Sequence, residues 1–289
     1  MSTLIHSWRE WLIRFARNRL AVLGASIVLV MLLLAVLAPF LAFHDPNEMS
    51  IGSRLASLSL DHPFGTDQFG RDIYSRVIYG TRISLAVGVL AVSLGLVVGV
   101  PLGALGGYFG RALDNAIMRV MDAIMAFPGL LLALALVVAL GPSVTSLSLA
   151  LGVRYMPTFA RLVRASVLEE REREYVEAAK VQGESHLRVL CYQILPNCLS
   201  PLIVQITLDL AHAIIAESSL SFLGLGIPPP TSTWGSMLDD ARTYMVIHPS
   251  GAVFPGLAIS IAVLGFNFLG DGLRDVLDPR LAEEGSSHG

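Results

Sequence analysis

The chain has 289 residues, 54% hydrophobic and only 15% charged, with a formal net charge of −3 and a mean hydropathy of +0.64. A soluble globular domain carries about a quarter charged residues, so this composition excludes an ordinary soluble domain. The small net charge excludes little more, because in membranes the placement of charge matters more than its sum. Nothing in the charge balance points to a nucleic-acid partner.

At the amino terminus Ile5, Trp8, Trp11, Leu12 and Phe15 recur at helical spacing among Arg9, Arg14 and Arg17. That pattern suits a short amphipathic helix over residues 1–19 in the cytoplasmic headgroup layer, or a plain extension of the first span. The apolar run that follows exceeds the roughly 7–15 residues of a cleaved signal peptide's core, so it is expected to stay as a span. Leu20 to Phe43, Ile83 to Gly110 and Val246 to Gly270 contain no Asp, Glu, Lys or Arg. Each is longer than the ~20 residues that cross a ~30 Å hydrocarbon layer.

Between the first two spans, Asp61 to Thr81 sets Asp67, Arg71, Asp72 and Arg76 among Phe69, Ile73, Tyr74 and Val77. This predicts an interfacial helix on the outer face, either a contact for a binding protein or an internal brace. Asp67 to Asp72 does not match a calcium-binding loop, and no metal is assigned. Along the second span Gly95, Gly99, Gly103 and Gly107 repeat every four residues. Such a stripe lets another helix approach closely, within the chain's own bundle or at a subunit interface.

Ala123 to Val153 is also free of charge. At ~1.5 Å per residue it is too long for one upright helix and too short for two. Gly141-Pro142-Ser143 marks a turn, which predicts spans near 117–141 and 145–167. The positive-inside rule supports both crossings, since they place Arg164, Arg171, Arg173, Lys180 and Arg188 on the same side as the amino-terminal arginines. Spans near 201–226 and 252–273 complete six, with both termini cytoplasmic; five spans and a re-entrant hairpin form the alternative. The predicted fold class is all-α and polytopic. Its map runs as helix 1–19, span 20–43, outer segment 44–82, core 83–274 and cytoplasmic tail 275–289.

No motor is visible. A phosphate loop needs lysine after glycine, and the single lysine, Lys180, follows Ala179. There is no His-Glu-x-x-His, Cys/His cluster or Gly-x-Ser-x-Gly elbow, so an intrinsic enzyme is not expected. Cys191 and Cys198 fit no zinc or disulfide spacing.

A charged passage in this otherwise apolar chain is "EYVEAAKVQGESHLRVLCYQILPN", Glu174 to Asn197, between the fourth and fifth spans. Tyr175, Val176, Ala178, Ala179 and Val181 form an apolar strip beside Glu174, Glu177 and Lys180. Gly183 is expected to end that helix, and Leu187, Val189 and Leu190 predict a second short one that Pro196 stops. By composition alone this could be an ordinary surface loop. Yet Glu177-Ala178-Ala179, Gly183 and Leu195-Pro196 resemble the EAA loop of ATP-binding-cassette (ABC) importer permeases, with Gln193 where that family often has Ile. "HPFGTDQFGRDIYSRVIYGTRISL", "ESSLSFLGLGIPPP", "WGSML" and "FNFLGDGLRDVLDPR" narrow the resemblance to the C-type subunit of the peptide group, over most of the chain.

The resemblance implies a MetI-like (type I) fold of six transmembrane helices in a bacterial inner membrane. It implies a heterodimer with a second, homologous permease and a coupling loop, 171–196, docked on two cytoplasmic ATPase subunits. Those partners would bind ATP and Mg, with no cofactor in this chain. A solute-binding protein would deliver di- or oligopeptides; the group also handles nickel chelates, glutathione and opines. An ion-driven secondary transporter, with inverted repeats and helices broken at mid-membrane, is the rival from another class. A non-transporting scaffold is a third reading.

Ionisable residues within spans are functional suspects. Arg154 and Arg161 lie seven apart on the fourth span, Asp209 and Glu217 eight apart on the fifth. Depth counting pairs Arg154 with Glu217 and Arg161 with Asp209. These are either structural ion pairs, or one arginine faces the pathway and meets a peptide carboxylate.

Overall fold

The structure is a computed structural model and describes residues 13–277. The expected amphipathic helix over 1–19 lies largely outside the described residues; 13–17 are helical. Asn18 then caps the first long helix, α1 (Arg19–Leu41), its side chain accepting from the backbone of Leu20 and Ala21. It also donates through Nδ2 to Asp275 at 3.1 Å.

After α1 come α2 (Ile73–Phe109), α3 (Arg111–Met125), α4 (Gly129–Leu140), α5 (Val144–Glu170), α6 (Glu174–Val181), α7 (Leu199–Phe222), α8 (Trp234–Ala241) and α9 (Ser250–Leu277). No strand occurs among the described residues; one isolated bridge joins Thr66 to Asp72. α9 returns antiparallel along α1. A side chain at Gly24 would meet Phe268 at 2.7 Å, one at Gly265 would meet Ile27 at 2.5 Å, and Gly272 abuts Ala21. Small residues let these two backbones approach where apolar lipid supplies no hydrophobic drive.

The glycine stripe packs the chain's own bundle. Gly95 faces Tyr155, Gly99 faces Met156 and Phe159, Gly103 faces Ala160, and Gly107 faces Arg164 and Val167. The partner numbers rise with the glycine numbers, so α2 and α5 run parallel. The intervening chain must therefore travel back between them. It does so as two rods, α3 and α4, bent by 86° at a break that ends in Pro128. The span expected near 117–141 is thus not one helix. Among the described residues, four helical segments are long and apolar enough to cross a membrane, five if the bent pair counts as one. α5 is long enough at 27 residues but does not reach that apolarity, Arg154, Arg161 and Arg164 lowering its apolar character, so a count of six is only roughly matched.

Two further expectations need correction. Residues 61–72 form turns rather than an interfacial helix, with Gly65 and Gly70 at φ +78° and +76°. Asp72 sets the boundary, its carboxylate accepting from Ser75 N at 2.8 Å to start α2. That helix then runs 37 residues, about 55 Å, through the whole bundle. Nor does Pro196 stop the helical path. It falls in the first turn of a 3₁₀ segment, Leu195–Cys198, where a missing N–H costs nothing. The path from His186 to Phe222 is continuous.

Candidate functional site

The Glu174–Cys198 passage forms a compact projection at the end of the bundle where α2 and α5 terminate. α6 closes in a Schellman motif: Gly183 N donates to Lys180 O at 3.0 Å and Glu184 N to Ala179 O at 3.2 Å. Gly183 sits at φ +83° with open space where a side chain would be. The position needs glycine for its backbone, not for room.

One face of the projection belongs to the core. Val176, Val189 and Ile194 are fully buried, and Ala179, Leu190 and Cys198 nearly so, in one cluster with Tyr155, Phe159 and Val167 of α5. The chain is π-helical over Val189–Ile194. Ile194, rather than Gln193, fills the inward position that follows, which answers the departure seen in the sequence. Polar ties complete the attachment: Arg171 Nη1 to Gly107 O at 2.9 Å, and the Tyr108 hydroxyl with His186 Nδ1 at 3.0 Å. The Tyr175 hydroxyl donates to Glu170 at 2.5 Å and accepts from Asn197 at 3.0 Å. Partial burial and the Glu170 carboxylate push the Tyr175 phenol up to about 12, so it stays a donor throughout the physiological range.

The other face is left uncovered by the described residues. Glu177, Ala178, Gly183 and Pro196 are exposed and Leu195 is half-buried, with Ala179 alone of the EAA residues turned inward. Beside them Val181 is 88% exposed, Tyr192 75% and Leu187 63%. The sequence does not single out those three large side chains as a surface, because periodicity cannot say which apolar residues remain uncovered.

The four charged residues of the spans are not joined as expected. Arg161 pairs with Asp122 of α3 at 2.5 Å, and Arg164 with Asp114 at 2.5 Å. Depth counting misses these partners because it treats the 117–141 segment as straight, whereas the bend lays α3 beside the lower half of α5. Glu217 is fully buried in a cage of hydroxyls, accepting from Ser221 at 2.8 Å and Ser218 at 3.3 Å. Next to it Trp234 N donates to Ser84 at 3.3 Å and its indole N–H to Val77 O at 3.1 Å. Glu217 therefore sits in the joint between α2, α7 and α8. Asp209 lies 3.9 Å from His212. Arg154 makes no ion pair among the described residues; its guanidinium lies 5.4 Å from the Tyr155 ring centre. With Met125, Phe127, Gly129, Leu132 and Thr158 it lines a cleft of roughly 210 Å³ at the α3–α4 elbow.

At the opposite end, Arg71 is buried between Asp67 at 2.5 Å and Asp240 of α8 at 2.7 Å, with Arg76 3.8 Å from each carboxylate. Of the two roles open to this segment, the geometry fits an internal brace that ties it to α8.

Residues 99–283 match the binding-protein-dependent transport system inner membrane component. The chain belongs to that family. Residues 7–58 match the N-terminal TM domain of oligopeptide transport permease C. The dipeptide transport system permease protein DppC of Alkalihalophilus pseudofirmus is 44% identical over 96% of this chain and 92% of its own length. A putative peptide transport system permease protein of Brucella abortus is 47% identical over 94% and 92%. The glutathione transport system permease protein GsiD of Escherichia coli is 44% identical over 95% and 91%. In fold, the permease resembles a chain of the inward-facing MetNI methionine ABC transporter, with a TM-score of 0.58, 19% identity, and coverage of 70% and 96%. It is thus a multi-pass inner-membrane permease component of an ABC importer, not its catalytic subunit, and works with other components of such a system. The broken helix that secondary transport would also predict is here part of an all-helical MetI-like permease.

Proposed function

We propose that this permease imports short peptides, forming the pathway with a second, homologous permease and resting on two ATPase subunits through the Glu174–Cys198 projection. The observation that carries the reading is the two-faced projection itself. Its inner face is continuous with the core of α5, while Glu177, Ala178, Val181 and Leu187 are left uncovered. A contact that must transmit force needs both properties: rigid attachment behind and a free surface in front. ATP and Mg would be bound by the ATPase partners, whose closure would push on this knob and switch the pathway between its inward- and outward-facing states. The projection and both termini then lie on the cytoplasmic side, and a solute-binding protein delivers substrate at the other.

Peptide is favoured as substrate because dipeptide, peptide and glutathione permeases all align over nearly the whole chain at 44–47% identity. Those similar values do not separate a dipeptide from glutathione, itself a peptide. Within the pathway, Arg154 beside the elbow cleft is the residue assigned to a peptide carboxylate, since it makes no ion pair among the described residues.

The test is reconstitution with the companion subunits and binding protein in liposomes. ATP-dependent accumulation of a labelled dipeptide is expected, with Arg154→Gln raising KM while ATPase attachment is unchanged. Uptake that persists without the ATPase subunits would refute the coupling role, and a pathway blind to peptides would refute the substrate.

A further inference from the structure

We propose that the segment joining α1 to α2 carries a binding site for a divalent transition metal of the zinc class, formed by His44, His62 and Asp72. His44 lies three residues beyond α1, His62 lies in the turns that follow, and Asp72 is the cap of α2. One ligand atom from each of the three lies within 4.8 Å of the other two. His62 Nδ1 is 3.0 Å from Asp72 Oδ1, and the His44 and His62 rings are 4.7 Å apart, tilted by 32°. Ligand atoms ~2.0–2.1 Å from a tetrahedral zinc sit a little over 3 Å from one another, so small ring rotations bring all three into range.

Three features separate this cluster from an ordinary His–Asp hydrogen bond. The buried Nδ1 of His44 has no hydrogen-bond partner among the described residues, although buried polar atoms are nearly always satisfied. The carboxylate of Asp72 is divided: Oδ2 is held by Ser75 N at 2.8 Å, leaving Oδ1 to His62 Nδ1 at 3.0 Å. The bond from Ser75 is the outer hydrogen bond which fixes a metal-binding carboxylate in place. Finally, the three residues share a cleft of roughly 200 Å³ with Glu48, room in which water can complete the coordination. Two imidazoles with a carboxylate oxygen and no thiolate suit zinc or its neighbours rather than calcium or copper(I). On binding, the ion takes the place of the proton shared by His62 and Asp72, which leaves to solvent.

The consequence is a staple. An ion here would add a strong bond between the end of α1 and the start of α2, which are separated by 31 residues in sequence. The two otherwise meet through the His44 N–Ser75 Oγ hydrogen bond at 3.2 Å and the stacked Phe43 and Tyr74 rings.

Untagged permease, purified in its complex and stripped with a chelator, would be titrated with zinc chloride against a chromophoric chelator. One zinc per chain is expected, with affinity at least ~100-fold weaker in His44→Ala and in Asp72→Asn, which keeps the helix cap. X-ray absorption of the zinc-loaded wild type should show two imidazoles on the metal. Zinc bound equally well by His44→Ala, or no imidazole scattering in the wild type, would overturn the proposal. If a variant fails to fold, the wild-type spectrum alone decides. Neither readout depends on transport.

Discussion

The two ends of the permease are held by opposite physics. At one end, turns 44–72 and α8 are locked through charge: Arg71, 3% exposed, bridges Asp67 and Asp240, and Arg76 backs them. At the other, the Glu174–Cys198 projection is held mainly by apolar contact, Val176, Val189 and Ile194 lying in the same cluster as α5. The first arrangement joins residues 169 apart in sequence and leaves few orphan charges. The second leaves a whole face, with Val181 and Leu187, uncovered. A brace consumes its interactions internally; a transmitting surface keeps half of them for a partner.

The sharpest way to break this comparison is Arg71→Ala. Removing one member of a buried charge network leaves its partners uncompensated, which costs on the order of 3 kcal/mol. The thermal unfolding midpoint of the purified complex should fall further for this change than for any substitution in the projection. Little change would mean that the charges at this end are ornamental, and the contrast with the projection would collapse.

Much of this contrast is readable from residue order, and the exceptions have definite causes. Four of the spans, the glycine stripe, the α6 terminus at Gly183 and the exposed Glu177 follow from hydropathy, spacing and backbone preference, all local properties. The partners of the arginines are not readable. Arg161 meets Asp122 and Arg164 meets Asp114 because the chain bends by 86° before Pro128, and a bend of that size rewrites every depth count beyond it. Glu217 resembles half of an ion pair in sequence because four hydroxyls from Ser84, Ser218, Ser221 and Thr233 can replace a cation only once three helices have met. The turns of 61–72 imitate a helix since their charges and aromatics recur at helical spacing, while Gly65 and Gly70 at positive φ show that the backbone goes elsewhere.

Intermediate effects should come from the projection's backbone and its polar ties. Gly183→Val places a β-branched side chain at φ +83° with nothing to strike, so the cost is the backbone's own, about 1–2 kcal/mol. The damage should stay local, lowering ATPase coupling more than the unfolding midpoint, and Gly183→Asn, which tolerates this conformation, should recover most of the coupling. Loss of the whole fold in Gly183→Val would place the projection among the bracing elements instead. Tyr175→Phe removes one hydroxyl shared by Glu170 and Asn197 and is expected to cost about 1 kcal/mol. Hydrogen exchange along α6 would read it.

The smallest effect on stability is the most informative for function. Val181→Ser with Leu187→Ser alters side chains that are 88% and 63% exposed, and surface changes of this kind usually stay within ~0.5 kcal/mol. Unfolding of the isolated permease should therefore be unmoved, while its pull-down of the ATPase subunits weakens, because apolar area exposed here is area available to bury there. Arg71→Ala should do the reverse, losing stability in the isolated chain whether or not an ATPase is present. If the serine pair destabilises the lone chain as much as the arginine change does, the outward face already serves the fold, and the distinction between brace and knob is false.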